Sequence, residues 1–283
     1  MLIKPTAEEA ERYIDFAYEL ALDPARSGYP TYTDGIKTKE DFAETCRYAF
    51  SYDGREVLLY LENGVVAGWI QFLFEKEDCY LETNIFNIAG SVSAALKEFI
   101  EYCNFYFPDY SICMGFPGDN KAAIEYLSQH DWVCEERSYN NVLYFENYEL
   151  LPESPDVVRI TRENYSDFRE LHQPIEGAMY WNSDRLYDSL ENWGVFVHYD
   201  DNKPSAAIYY RDSEILMHIY GLDYRDNVYQ ASVFRILMEK ALNECKRDGK
   251  KYMVFFGEQQ DQQEALALGY HCVGEYVLYT KRR

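Results

Sequence analysis

Local metal-binding signatures are missing from this chain. Its seven cysteines (46, 79, 103, 113, 134, 245 and 272) include no C-x-x-C pair, and its five histidines show no H-x-x-x-H spacing. Zinc sites draw their ligands from such short-range patterns, so no dedicated metal site is expected. An odd, dispersed set of cysteines in apolar contexts predicts reduced core thiols and a cytoplasmic setting. There is no G-x-x-x-x-G-K-[ST], no G-x-G-x-x-G and no G-x-S-x-G, which removes the common phosphate-loop, dinucleotide and hydrolase-elbow readings. No apolar run approaches the roughly 20 residues that a membrane span needs, and MLIKPTAEEAERY lacks the layout of a signal peptide. Positive charge is scarce as well. Lys and Arg number 27 against 49 Asp and Glu, a formal charge of −22, whereas duplex binding requires a basic footprint. No nucleic-acid or membrane partner is therefore expected. Lys281, Arg282 and Arg283 form the one basic cluster and read as a solvated tail. The acidic balance suits a cationic small molecule, and serves solubility equally.

What the chain does have is hydrophobic and aromatic mass, 47% and 17% of its 283 residues, enough for two domains with their own cores. Thr6 with Glu9, and Thr38 with Asp41, are capping boxes that open helices running to about Ala21 and Phe50. EVLLYL and VVAGWIQFLF form a hairpin about Asn63-Gly64, and CYLETNIF adds a third strand. A helix, the strand YSICMGF, the helix NKAAIEYLSQH and a closing strand pair, WVCEERSY with NVLYF, complete this half. LPESPD at 151–156 reads as a linker, after which the order βααβββαβαββ begins again. AGSVSAAL at 89–96 lies against QASVFRIL at 230–237, and offsets stay near 140. The expectation is a tandem repeat: an N-terminal domain 1–150, the linker, and a C-terminal domain 157–283.

The junction NIFNIAGSVSAALKEFIEYC at 84–103 carries the functional question. Val92, Ala95, Leu96, Phe99, Ile100 and Cys103 fall on one helical face, so a strand turns into a helix through a loop with a single glycine. The loop is either a phosphate cradle or simply a helix start. Its place after three consecutive strands, and the order of elements in both halves, resemble the GCN5-related N-acetyltransferase superfamily. The resemblance implies an α/β fold, two tandem acetyltransferase-like domains each with a central mixed sheet flanked by helices. It implies acetyl-CoA as co-substrate, no metal, and a small amine, cationic or neutral, as acceptor. In that family the loop Q/R-x-x-G-x-G/A offers unpaired N–H groups and a helix N-terminus to the pyrophosphate, and the pantetheine arm pairs with a splayed strand edge. Carried onto this chain, the cofactor contacts fall on Ile85, Asn87, Ile88, Ala89, Gly90, Ser91, Val92 and Asn120. Asn87 and Val92 depart from the pattern. The second half has no glycine in the matching loop, which opens at Tyr224-Arg225-Asp226 or at Val228, so the cofactor is expected in the first domain.

Acetylating an amine requires a base that removes its proton, and an acid for the leaving thiolate. Glu82, on the strand before the loop, matches the family's frequent base; as a bare residue it is equally a surface carboxylate on the polar face of a strand. The family's acid tyrosine falls on Leu127, with Tyr126 next to it as the available substitute. In the second half Ala265 holds the acid position and His218 is the possible base. Tyr29 and Tyr32, and Met179-Tyr180-Trp181, lie in the loops that cover the acceptor in this fold. They are candidates for an aromatic wall against a cation, or for ordinary half-buried tyrosines. The alternative function is a tandem acetyltransferase fold without turnover, holding CoA or another ligand in a regulatory role.

Overall fold

The computed structural model describes residues 1–177, 179–212 and 216–282. In chain order the first half forms β1 (Leu2–Ile3), α1 (Ala7–Glu11), α2 (Ile14–Ala21), α3 (Lys39–Tyr48), β2 (Arg55–Glu62), β3 (Val65–Glu75), β4 (Tyr80–Ile88), α4 (Val92–Tyr106), β5 (Ser111–Pro117), α5 (Lys121–Ser128) and β6 (Val133–Tyr144). The second half forms β7 (Val157–Arg159), α6 (Tyr165–His172), α7 (Ser183–Asp188), β8 (Trp193–Asp200), β9 (Lys203–Asp212), β10 (Leu216–Tyr224), α8 (Ala231–Arg247), β11 (Tyr252–Gly257), α9 (Gln262–Ala267) and β12 (His271–Lys281).

Both expected capping boxes are present, on Thr6 and Thr38. The helix expected from Thr6 to Ala21 is broken at Arg12 and Tyr13, where the Tyr13 N–H bonds to Ala10 O instead of continuing the ladder. Asn63 and Gly64 both have positive φ (52° and 80°), the twist that a two-residue hairpin turn requires.

Two compact units result, one of Met1–Ser138 with the stretch from Gly274 on, the other of Tyr139–Val273. They do not follow the linear division at 151–156, because the closing strands are exchanged. In the first unit β1 to β4 are antiparallel neighbours, β4 runs parallel to β5, and β5 pairs with the second half of β12, from Tyr276↔Pro117 to Lys281↔Ile112. In the second unit β7 to β10 are antiparallel, β10 runs parallel to β11, and β11 pairs with the end of β6, from Tyr252↔Tyr144 to Gly257↔Tyr139. Where a closing strand pair was expected in each half there is one long strand. Asn140, which fell between the two expected strands, and Asn141 lie buried inside β6, where the Asn141 side chain donates to Tyr139 O at 2.9 Å.

Each sheet is packed on both faces. In the first unit one face, with Phe72, Leu81 and Phe86, meets Leu96, Phe99 and Leu127 of α4 and α5. The other, with Val57, Trp69 and Ile85, meets Ala17 and Phe42 of α2 and α3. The second unit repeats this with Phe234, Leu237 and Met238 of α8 on one face and Phe168, Leu171 and Leu186 of α6 and α7 on the other.

Candidate functional site

Each unit has a bulge in the strand that precedes its long helix. Gln71 pairs with Ile85 but Phe72 with Thr83, so Asn84 is an extra residue in β4. Ile219 pairs with Tyr210 but Gly221 with Tyr209, so Tyr220 is extra in β10. Beyond these points the parallel partners part: β4 and β5 are last paired at Glu82↔Cys113, and β10 and β11 at Ile219↔Phe255. Both units thus hold a gap between two parallel strands, closed at its far end by the start of a helix.

Two residues before the bulge stand Glu82 in the first unit and His218 in the second. Glu82 is half-buried and accepts a hydrogen bond from Tyr80 Oη at 2.8 Å. Burial raises its carboxyl above the ordinary value, while the Tyr80 hydroxyl and the Arg55 charge moderate the rise. That direction suits a base able to hold a proton near neutrality. His218 is half-buried against Tyr220 and Phe256, with ring centroids 4.7 and 5.5 Å away.

The helix starts differ. In the first unit the Ser91 side chain caps α4 by accepting from Ala94 N, and the Ser91 N–H donates to Glu62 Oε1 at 3.3 Å. A β-carbon at Gly90 would come within 2.9 Å of the Glu62 Cδ. A carboxylate of the chain itself therefore lies at the positive end of α4. The gap is also filled. Ile88 N–H donates to Arg26 O (2.9 Å), Tyr29 N–H to Gly115 O (2.9 Å), and the Asn120 side chain to Ser27 O (2.9 Å).

In the second unit Gln230 precedes α8 in extended conformation and makes no side-chain cap. Tyr224 and Tyr229 flank the turn before it, with ring centroids 5.7 Å apart, and each has a buried hydroxyl without a partner. Burial raises both phenols, Tyr229 to about 12. Asp261, eight per cent exposed, accepts from the Glu258 N–H at 2.7 Å; burial pushes it up to about 6 against that bond. Among the described residues, no backbone bond joins the loop 173–182 to Gly221–Tyr224 of β10. Its tie to that strand is a side-chain pair instead. His172, fully buried, meets Asp223 Oδ2 at 2.8 Å through Nδ1 and Trp181 O at 3.0 Å through Nε2.

No protein-family model matches the chain, and no curated protein matches its sequence. Solved structures do. A GCN5-related N-acetyltransferase from Sphaerobacter thermophilus superposes with a TM-score of 0.67 at 12% identity, over 99% of this chain and 95% of that one. A tandem protein of the same superfamily from the clavulanic acid biosynthesis pathway gives 0.52 at 9%, over 99% and 98%. The glucosamine N-acetyltransferase region of a fungal multi-domain β-N-acetylglucosaminidase gives 0.59 at 12%, over 99% of this chain and 38% of that one. The fold is that of the GCN5-related N-acetyltransferases.

Within this acetyltransferase fold, the residues expected to meet the cofactor in the first unit have other partners. Asn87 donates to Ala17 O and accepts from Gly28 N–H; Asn120 caps α5 through Ala123 N. Ile85, Ile88 and Val92 are buried core side chains, and Ala89 N–H bonds Ala67 O. Gly90 and Ser91 face Glu62. Glu82 and Tyr126 are not brought together: Glu82 sits on the face shared with its cross-strand neighbours Leu73 and Cys113, whereas Tyr126 packs on the opposite core and stacks on His130 at 4.0 Å. Tyr29 and Tyr32 do line a loop, but the cation over their rings is Lys37, at 5.6 and 5.5 Å. Sequence reasoning missed Glu62, the segment 26–29 and the pair His172–Asp223. Glu62 was the most accessible of them, since it directly precedes the Asn63-Gly64 turn and so projects from a strand end beside the loop. Of the basic cluster, Lys281 and Arg282 bond His130 O and Glu135; Arg283 lies outside the described residues.

Proposed function

We propose that this chain is an acetyl-CoA-dependent N-acetyltransferase acting on a small amine, with the cofactor held by the second unit rather than the first. The observation that carries the reading is the contrast between the two helix starts. An incoming pyrophosphate brings negative charge, which the Glu62 carboxylate opposes at α4. At α8 the first-turn N–H groups have no side-chain cap, and two buried phenols lack acceptors. Unpartnered buried donors are rare and call for a missing partner, and phenol O–H groups and helix N-terminal amides suit phosphate or amide oxygens. The second unit thus suits the group better than the first: its helix start is uncapped, and the carboxylates that act on its phenols, Asp261 and Glu264, are not bonded to the first-turn N–H groups of α8 as Glu62 is to Ser91.

On this reading Gly221–Tyr224 offers its open edge to the extended arm of the cofactor, and α8 with Tyr224 and Tyr229 receives the phosphates. The cofactor supplies an activated acetyl thioester. His218, beside the bulge, receives the proton of the ammonium, histidine being the side chain that ordinarily titrates near neutral pH. The acidic chain favours a cationic acceptor through its long-range field. No group of His, Cys, Asp or Glu suited to a metal ion occurs among the described residues, and no helix there is long and apolar enough to cross a membrane.

The test pairs two variants in a CoA-release assay over an amine panel. His218→Gln should lower kcat by 10²-fold or more with the KM for acetyl-CoA little changed; Glu82→Gln should leave both constants alone. The opposite pattern would return the chemistry to the first unit. A second reading, binding without turnover, is favoured by the absence of a tyrosine at Ala265, and wins if CoA binds but no amine is acetylated.

A further inference from the structure

We propose that residues 26–29 are a built-in occupant of the gap between β4 and β5, a loop segment that permanently takes pairing positions an extended ligand would use in the first unit. The proposal stands on the geometry of that unit and is independent of what the second unit binds.

Loops that cover a sheet ordinarily lie across its face and touch it through side chains. This segment bonds instead to the edges of both parted strands. On the β4 side, Ile88 N–H donates to Arg26 O at 2.9 Å and Gly28 N–H to Asn87 Oδ1 at 3.4 Å. On the β5 side, Tyr29 N–H donates to Gly115 O at 2.9 Å, and Asn120, just beyond β5, donates to Ser27 O at 2.9 Å. One backbone group on each parted strand, Ile88 N–H on β4 and Gly115 O on β5, is therefore answered within the chain, as buried peptide groups must be.

The fit is close. A β-carbon on Gly28 would stand 3.0 Å from both the backbone nitrogen and Cβ of Phe86, closer than ordinary van der Waals contact, so a side chain there would force the segment or β4 to shift. Ser27 and Gly28 are buried, and the Tyr29 ring packs against Tyr276 of β12 with centroids 4.5 Å apart. Two fully committed amides, Asn87 and Asn120, tie the segment in place from opposite sides, and Asn87 also reaches back to α2 through Ala17 O at 3.0 Å. With Glu62 at the helix end of the same gap, a phosphate-bearing extended ligand meets both a filled slot and a like charge. One chain should consequently bind at most one acyl-CoA.

Hydrogen exchange on the intact chain, with and without saturating acetyl-CoA, tests this alongside calorimetric titration. Peptides spanning 26–30 and 86–91 should exchange as slowly as those of β3, because their amides open only with the sheet. Acetyl-CoA should not alter them, and the titration should give no more than one site per chain. Gly28→Val should speed exchange in both peptides together by tenfold or more while β3 stays protected. Rapid exchange of 26–30 and 86–91 in the unaltered protein, slowing of 86–91 by acetyl-CoA, or two sites per chain would each overturn the proposal. If acetyl-CoA binds nowhere yet both peptides are protected, the segment is an occupant as proposed and the enzymatic reading alone falls. The unaltered chain decides the matter even if Gly28→Val fails to fold.

Discussion

Replacing Gln230 by Asp should make the protein more stable and its cofactor binding weaker, two effects of opposite sign from one carboxylate. Gln230 holds φ −134° and ψ 107°, an N-cap conformation, but makes no cap bond. Aspartate is among the strongest N-caps, its oxygen accepting from the second or third helical N–H, and the gain over a non-capping residue is about 1 kcal/mol. A further gain of about 0.3–1 kcal/mol comes from negative charge at the positive helix end. For a chain of this size that corresponds to a rise in Tm of roughly 2–4 °C. The same charge lies where pyrophosphate is proposed to bind. Unit charges 4 Å apart interact by about 1 kcal/mol in water and about 4 kcal/mol at an effective dielectric of 20. Position 230 is exposed, so a penalty of about 1.5–3 kcal/mol is expected, a 10- to 100-fold rise in Kd. The natural counterpart is Glu62, which already donates its charge to the start of α4. Scanning calorimetry reads the first effect and titration calorimetry the second. A higher Tm with unchanged affinity for acetyl-CoA would refute the assignment of phosphate to α8. An unchanged Tm would refute the capping argument itself.

Three other outcomes follow from the same geometry. Glu62→Gln should leave acetyl-CoA affinity within twofold and lower stability by about 0.3–1 kcal/mol, through lost charge at the N-terminus of α4; titration and thermal melts check both. The pair His172–Asp223 should make stability fall as pH rises. Burial pulls the imidazole down, but the Asp223 carboxylate and the Trp181 carbonyl outweigh it, and burial raises Asp223. The folded pair thus keeps a proton that the unfolded chain releases. Its contribution is complete below the ordinary histidine value of about 6.5 and disappears as pH climbs through the raised one; in melts from pH 6 to 9, Asp223→Asn should flatten that slope. Asp261 is likewise raised, to about 6, so its charge costs stability above that pH. Asp261→Asn should raise Tm at pH 8 but not at pH 4.

The repeat, the capping boxes and the hairpins were legible because each rests on local chemistry: a hydroxyl three residues before a carboxylate, Asn-Gly between apolar runs, apolar spacing on one helical face. The closing strands were not. Asn140 separates two strands in a local reading, and is strand instead because β6 runs on past it to pair with β11. The loop 87–92 failed for a related reason. Gly90 looks permissive, yet what it faces is a carboxylate 28 residues earlier in the chain, brought there by the β2–β3 turn. Local pattern says which backbone can approach an anion, and tertiary contact decides whose anion arrives. Asn87 and Asn120 show the same limit, since an amide suited to a ligand is equally suited to a loop carbonyl.

The exchanged strands set an order of events during synthesis. β5 is made before any strand of the second unit after β6, but its partner from Tyr276 to Lys281 follows every other described strand. Until then the first unit carries an unpaired sheet edge, the kind of surface on which nascent chains join one another. The second unit is better placed, because its borrowed strand, Tyr139–Tyr144, is already present when β11 appears. Translation thus favours completion of the downstream unit first. A cut within 151–156 would not yield two independent modules but two sheets each lacking a strand, which should recover their fold only when the fragments are mixed.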